Sequence, residues 1–499
     1  MATNGKVNGN GANGHAALPE WHSTPLAEIP KLWQLHADLN ASFRTGIMWP
    51  LAKRKQELAA MARMMTENAE LWAKAIYADL GKPEFQANLF EIGISHQAVT
   101  AIAELDEWTA PLKPDVHERH TEWSPTVYKV PKGVVLIISP WNYPLTLTMQ
   151  PLVAALAAGN CALLKPSELA PSVSALMAEL VPKYFDPGVV RLVNGGVKET
   201  TRLLELKWDH IFYTGNGAVG RIIAQAAARH LTPVTLELGG KSPVVIDPTG
   251  LDLNIVAKRI LHGKLANAGQ TCVAPDYILC PEASQKPLMA AMTKTMEEWF
   301  HETGGKALRS PHYGRIVNER HFRRVQGLVE KSKGEVVFGE KQTDPERYAM
   351  EPIVIKTDGE DDLMKEEIFG PVFPLITIKD VDDAINFIED RDHPLSLYVF
   401  TKNDETKQKF LARTRSGGLV FNDTMEQLAV GLPFGGVGES GMGYTVGRAG
   451  YDQFTHLRAS VDVPYDHEEA VSLRYPPYTE EKVNLSKLIS RPEVPNVHA

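Results

Sequence analysis

The sequence predicts an α/β fold built as two doubly wound α/β domains. Three observations carry that prediction. Short apolar runs alternate with helical stretches from about residue 131 to about residue 421, the rhythm of parallel sheets whose connections are helices. A glycine turn, Gly215-Asn216-Gly217-Ala218-Val219-Gly220, joins one apolar run to a helix. The chain of 499 residues exceeds one ordinary hydrophobic core, so two or three domains are expected.

Composition narrows the class. The formal charge of -9 is spread along the sequence without a basic stripe, so nucleic acid is not an expected partner. Three cysteines in so long a chain form no disulfide framework and fit a reducing compartment. No apolar run approaches the ~18 residues of a membrane-spanning helix. The start, Met1-Ala2-Thr3-Asn4-Gly5-Lys6, lacks the apolar core of a secretory signal. A cytoplasmic protein is expected, with peripheral membrane contact left open. The 16 histidines show no ligand spacing, so no metal site is expected.

The elements follow in order. Residues 1–19 are rich in Gly and Asn and are expected to be disordered. From about residue 25 to 80 the pattern is helical, with Leu51, Leu58, Met61, Met65 and Leu71 recurring between Lys and Glu. Residues 89–108 read as another amphipathic helix and 121–130 as a β segment. Strands are then expected over 134–139, 161–165, 189–193, 210–213 and 234–237, with helices over 148–158, 172–180 and 221–230. A similar alternation restarts at 242–246 and continues to about 421. The polar, Pro-rich tail after Val463 is expected to run over the surface.

Residues able to do chemistry gather at the ends of these elements. In Gly269-Gln270-Thr271-Cys272 the thiol sits on tight backbone after the small-residue turn Asn267-Ala268-Gly269. Free N–H groups there would favour a thiolate and could hold an oxyanion, the alternative on this segment alone being a buried structural cysteine. The turn holding Gly215, Asn216, Gly217 and Gly220 has the strand-to-helix context in which backbone N–H groups approach a pyrophosphate. The same spelling predicts a ribose-binding carboxylate about 20 residues on, and Glu237 answers to it. Lys165 and Glu168 close an earlier strand, placed either for ribose hydroxyls or a phosphate or as a solvated pair. In Ser139-Pro140-Trp141-Asn142-Tyr143-Pro144 the Asn142 amide either faces developing negative charge or satisfies its own turn. Cys161 and Cys280 lie in apolar runs and read as packing.

Taken together, the segments resemble the aldehyde dehydrogenase superfamily over roughly residues 25–464. They are 139–144, Leu-Leu-Lys-Pro-Ser-Glu at 163–168, Tyr-Thr-Gly-Asn at 213–216 and Leu-Glu-Leu-Gly-Gly-Lys-Ser-Pro at 236–243. Gly-Gln-Thr-Cys at 269–272, Glu-Glu-Ile-Phe-Gly-Pro at 366–371 and Leu-Pro-Phe-Gly-Gly-Val-Gly at 432–438 complete the set. Asn-Tyr-Pro, Tyr-Thr-Gly-Asn and Arg-Tyr-Pro-Pro-Tyr at 474–478 are similar to the class 3 branch, which includes fatty aldehyde and fungal apocarotenal-oxidising enzymes.

The resemblance implies oxidation of an aldehyde to its acid with NAD, NADP being also admissible. It implies Cys272 as the nucleophile, passing through a thiohemiacetal and a thioester. It makes the Asn142 amide and the Cys272 N–H the oxyanion donors, and Glu237 the base that activates water rather than a ribose ligand. By the same resemblance Lys165 and Glu168 hold the adenosine ribose, residues 215–220 line the cofactor, Glu367 binds the nicotinamide ribose and Phe369 packs beside it. It implies a Rossmann-like cofactor domain over 20–115 and 131–239 and a catalytic domain over 240–435. A homodimerisation arm would come from 116–130 and 436–465, with a surface tail over 466–499.

Aliphatic (medium- or long-chain), aromatic and apocarotenoid aldehydes all suit an apolar tunnel. Met425-Glu426-Gln427 stands where class 3 relatives often carry a His, and the tail lacks the hydrophobic helix that ends membrane-bound fatty aldehyde relatives. Two rival readings remain at this level. In a CoA-acylating enzyme Glu237 would have little use. In a catalytically retired binding or structural protein the intact set Cys272, Glu237 and Asn142 would have none.

Overall fold

The computed structural model describes residues 18–22, 29–466 and 468–495. The disorder expected for 1–19 therefore lies outside the described residues, apart from Leu18 and Pro19. The larger of two compact units holds the chain up to residue 108 together with 130–456. It contains two large open sheets and a short antiparallel pairing of Thr343–Asp344 with Ala349–Met350.

The first sheet has six strands in the order Gly441–Met442, Val234–Glu237, His210–Thr214, Val134–Ile138, Cys161–Lys165 and Val190–Leu192. All pair in parallel except Gly441–Met442, which joins Val234–Glu237 antiparallel. Every residue of the three central strands is buried, as their unbroken apolar character requires of strands covered on both faces. Chain order reverses between Val134–Ile138 and His210–Thr214. A crevice opens beyond the C-terminal ends of two such strands, where the connecting helices diverge to opposite faces.

The second sheet has seven strands in the order Gly418–Phe421, Ser396–Phe400, Pro243–Ile246, Tyr277–Pro281, Val372–Ile378, Ile353–Thr357 and Glu335–Phe338. Only the last is antiparallel to its neighbour. Alternate residues feed separate cores: Val244, Ile246 and Ile278 one, Val245, Tyr277 and Leu279 the other.

The smaller unit comprises 109–129 and the chain from 457 onward. Strands Thr126–Pro131 and Thr455–Ser460 form a two-stranded ribbon, and Asp462 N donates to the Trp123 carbonyl at 2.7 Å.

Several expectations change. The units divide at 109, 130 and 457, rather than at 116, 131 and 436, because Gly441–Met442 extends the first sheet and helix Gly447–Gln453 packs on helix Thr146–Ala158. The helix expected over 89–108 is broken. Glu84–Phe90 ends and Ser95–Thr109 follows, since Glu91 turns its carboxylate to the N–H groups of Leu145 and Thr146, each at 3.1 Å. The β segment expected over 121–130 opens with a 3-10 turn, Glu118–Trp123. The tail carries a helix, Glu480–Ser490, capped by Thr479. No described helix is long and apolar enough to cross a membrane.

Candidate active site

Cys272 follows a turn that backbone sterics disfavour. Asn267, Ala268 and Gly269 take φ of 51°, 53° and 77° in succession, and the left-handed region costs a non-glycine residue about 1–2 kcal/mol. Side chains hold it there. Asn267 Nδ2 donates to the carbonyls of Asn142 at 2.8 Å and Gln270 at 3.0 Å. Gln270 Nε2 donates to the carbonyls of Asn267 and Arg315 at 3.0 and 2.9 Å, and its Oε1 accepts from Val317 N at 2.9 Å. Gly269 is required as well, because a Cβ there would strike the Gly370 carbonyl. Asn142, almost fully buried, donates through Nδ2 to the Gln270 carbonyl at 3.0 Å, fixing its amide against the loop that carries Cys272.

The charges around the thiol run against the sequence expectation. Burial pushes the Cys272 thiol well above its ordinary range, and the Glu237 and Glu367 carboxylates push it further. Its own backbone N–H acts in the opposite sense, as the smallest of these influences, so their balance runs away from a ready thiolate. Glu237 is 3% exposed, and among the described residues neither carboxylate oxygen has an N–H or O–H donor, the Cys272 thiol being its polar neighbour. Burial raises it to about 8, with the Cys272 thiol acting in the opposite sense. Glu367 is raised to about 8 by burial first and the Asp276 charge second. On the other side, Val273, Leu395, Met425 and Phe434 form an apolar cluster against which Cys272 packs.

A cavity of about 1050 Å³ runs from the sheet's reversal point to the thiol. It is lined by Asn142, Lys165, Glu168, Gly215, Asn216, Gly217, Glu237, Cys272, Glu367 and Phe369, which the sequence scatters over 228 positions. Gly220 is the exception. Helix Gly217–Ala228 starts earlier than expected because the Asn216 side chain accepts from Val219 N at 3.0 Å. That turns Gly220 inward, where a Cβ would meet Leu238 Cδ2 at 2.9 Å, so its role is close packing of helix on strand.

Lys165 Nζ donates to Glu168 Oε2 at 3.2 Å and to the Gly195 carbonyl at 3.0 Å, leaving a carboxylate and an ammonium side by side on the cavity wall. Residues that the sequence reading passed over set the opposite wall. Lys241 bonds to Asp276 and to the carbonyls of Leu363 and Glu366, and Asp276 Oδ1 accepts from Ile368 N at 3.1 Å. Arg324 donates to the carbonyls of Glu367 and Ile368 at 3.3 and 2.6 Å. The loop so held presses the Glu367 carboxylate against Gly239, where no Cβ would fit, and keeps Phe369 at φ 50°. The Phe369 ring stands edge-on to Trp141 with centroids 5.4 Å apart. Lys241 was within a quoted motif, and the basic residues near 320–324 offered a weak signal. Lys82 and Glu91, taken up below, offered none.

These groups suit a dinucleotide: a Lys–Glu pair for ribose hydroxyls, N–H groups at the start of helix Gly217–Ala228 for phosphate, and aromatic walls leading to the thiol. A cavity suited to a dinucleotide and ending at a cysteine is what an oxidoreductase of carbonyl compounds would need. The sequence model of the aldehyde dehydrogenase family matches residues 12–460, and the chain belongs to that family. It is an NAD(P)-dependent aldehyde dehydrogenase, which oxidises an aldehyde to the carboxylic acid. It is 44% identical over 457 residues to aldehyde dehydrogenase family 3 member A2 of Mus musculus, covering 90% of this chain and 92% of that one. It is 43% identical over 451 residues to a "dimeric NADP-preferring" aldehyde dehydrogenase of Canis lupus familiaris, covering 90% and 98%. Among solved structures, the substrate-bound state of Staphylococcus aureus AldH superposes with a TM-score of 0.88 at 38% identity, covering 92% of this chain and 99% of that one.

Proposed function

We propose that Cys272 attacks the aldehyde and that Glu237 resolves the resulting thioester with water, on aldehydes with an apolar body. The observation that carries this reading is the Glu237 carboxylate, buried beside the Cys272 thiol with no N–H or O–H donor among the described residues, and raised to about 8. A carboxyl group so raised is a stronger base than an ordinary one when ionised, and it exchanges protons near working pH.

The Cys272 thiol gives its proton to solvent water, and the sulfur forms a bond to the carbonyl carbon. The oxyanion is met by Asn142 Nδ2 and the Cys272 N–H, and loss of one such donor costs about 10²–10³ in turnover. When bound, oxidised NAD(P) supplies a positive charge and accepts the hydride. The carbonyl then re-forms as a thioester on Cys272. Glu237 takes a proton from water as the water oxygen adds to that carbon. Collapse breaks the carbon–sulfur bond and releases the acid.

The cluster of Val273, Leu395, Met425 and Phe434 supports medium- or long-chain, aromatic or apocarotenoid aldehydes as substrates. The description "dimeric" of the dog relative, and the exposed two-stranded ribbon, support a homodimer. Three unpaired cysteines support a cytoplasmic setting.

The test measures NADH and acid formation over a panel from short aliphatic to C16 and apocarotenal, with Cys272→Ala as the blank. Glu237→Gln should release one NADH per site and then stall, with the acyl adduct on Cys272 visible by mass spectrometry. Undiminished turnover of Glu237→Gln would sink the reading. Product formation only with CoA would replace hydrolysis by acyl transfer.

A further inference from the structure

We propose that Lys82 and Glu91 are positioning residues that aim the Asn142 amide at the oxyanion. The inference rests on the oxyanion role given to Asn142 above.

Both side chains are wholly buried, and they meet each other and the same short loop. Lys82 Nζ donates to Glu91 Oε1 at 2.5 Å and to the Asn142 carbonyl at 2.7 Å, and it lies 3.6 Å from the centre of the Tyr143 ring. Glu91 Oε2 accepts from Leu145 N and Thr146 N, both at 3.1 Å, while Thr146 Oγ1 donates back to the Phe90 and Glu91 carbonyls at 2.7 and 3.0 Å. One ion pair thus grips the backbone of Asn142, the ring of Tyr143 and the start of helix Thr146–Ala158. The far side of the loop is tied to the nucleophile: Tyr143 Oη and Thr271 Oγ1 are 2.8 Å apart, one residue before Cys272.

Stability alone does not call for this arrangement. Burying both charges is costly, and an apolar pair of similar volume is often equally stable. An ammonium supplies what an apolar pair cannot, several directed donors from one point. Here they fix the peptide from which the Asn142 side chain departs. An error of about 1 Å in a reacting geometry costs up to about 10²-fold in rate.

The test is a cycle between the pair and Asn142. Lys82→Met with Glu91→Leu removes both charges and strands neither. It is combined with Asn142→Ala, and NADH formation from octanal and NAD is followed in a single turnover with enzyme in excess. Asn142→Ala should slow that step by about 10²–10³. The charge-free pair should slow it about 10- to 10²-fold, with NAD affinity, read by tryptophan quenching, close to wild type and a thermal midpoint lowered by the Leu145 and Thr146 N–H groups it leaves unpaired. In the Asn142→Ala background the charge-free pair should slow it little further. Multiplying effects, or an unchanged rate in the charge-free pair, would overturn the proposal. If Asn142→Ala itself leaves the rate unchanged, the oxyanion reading fails and the positioning role falls with it. Should the charge-free pair not accumulate as folded protein, Lys82→Arg runs the same cycle, keeping the charge while moving its donors.

Discussion

Cys272 works beside two carboxylates that oppose its ionisation, and a third influence, burial, is larger than either. The sign of the consequence is fixed. Removing a neighbouring negative charge favours the thiolate, so Glu367→Gln should lower the midpoint of the alkylation-rate profile of Cys272 with iodoacetamide by about one pH unit. The wild-type midpoint should lie above that of a free thiol, and a midpoint below about 8 would contradict the charge arrangement. A positive charge brought by the cofactor would act in the same direction as Glu367→Gln. Nothing at this scale is legible in Gly269-Gln270-Thr271-Cys272. Burial and two carboxylates converge on the thiol from elements ending at 237 and following 366, and that convergence is what reverses the simple expectation of an activated thiolate.

At the scale of the element, glycines that look alike in the sequence do different work. Gly220 lets helix Gly217–Ala228 approach Leu238, whereas Gly239 leaves room for the Glu367 carboxylate. Gly220→Ala should lower stability by about 1 kcal/mol, overpacking of 1–3 kcal/mol being partly offset by the better helix residue. It should leave the KM for NAD unchanged. Gly239→Ala should do the opposite, raising the KM for NAD about tenfold, the equivalent of ~1.4 kcal/mol, with the thermal midpoint little altered. Steady-state kinetics and thermal melts on the two variants check both. The strand-to-helix context of 215–220 was readable from the spelling. The helix start was not, because it depends on the Asn216 side chain capping Val219.

For the whole molecule, the smaller unit raises a question of partnership. A two-stranded ribbon is marginal alone, its open edges invite pairing, and Leu457 within it and Val461 just beyond it are 58% and 60% exposed. A second copy of the chain is the expected cover. Sedimentation at micromolar concentration should give a dimer, and Leu457→Glu with Val461→Glu should shift it toward monomer. A monomeric wild type would end that reading. The larger unit needs no such help, with both sheets covered on both faces.

What the sequence by itself determined was local or ordered along the chain: the buried central strands, the helices that join them, the thiol on its tight turn, and the succession of motifs. Apolar runs and turn residues report the backbone conformation of their own neighbourhood, and several motifs in one order are far more specific than any alone. Only the tertiary structure decided how those parts act on one another. It turned Gly220 away from the cavity, buried the Glu237 carboxylate beside the thiol with no N–H or O–H donor among the described residues, and drove the Cys272 thiol toward its neutral form. It also brought Lys82 to Asn142 across 60 positions and Glu91 to Leu145 across 54. The physical reason is common to all of these. Burial, field and hydrogen-bond supply at a point in space are set by whatever the fold gathers there, and a neighbour in space leaves no mark on the residues beside it in sequence.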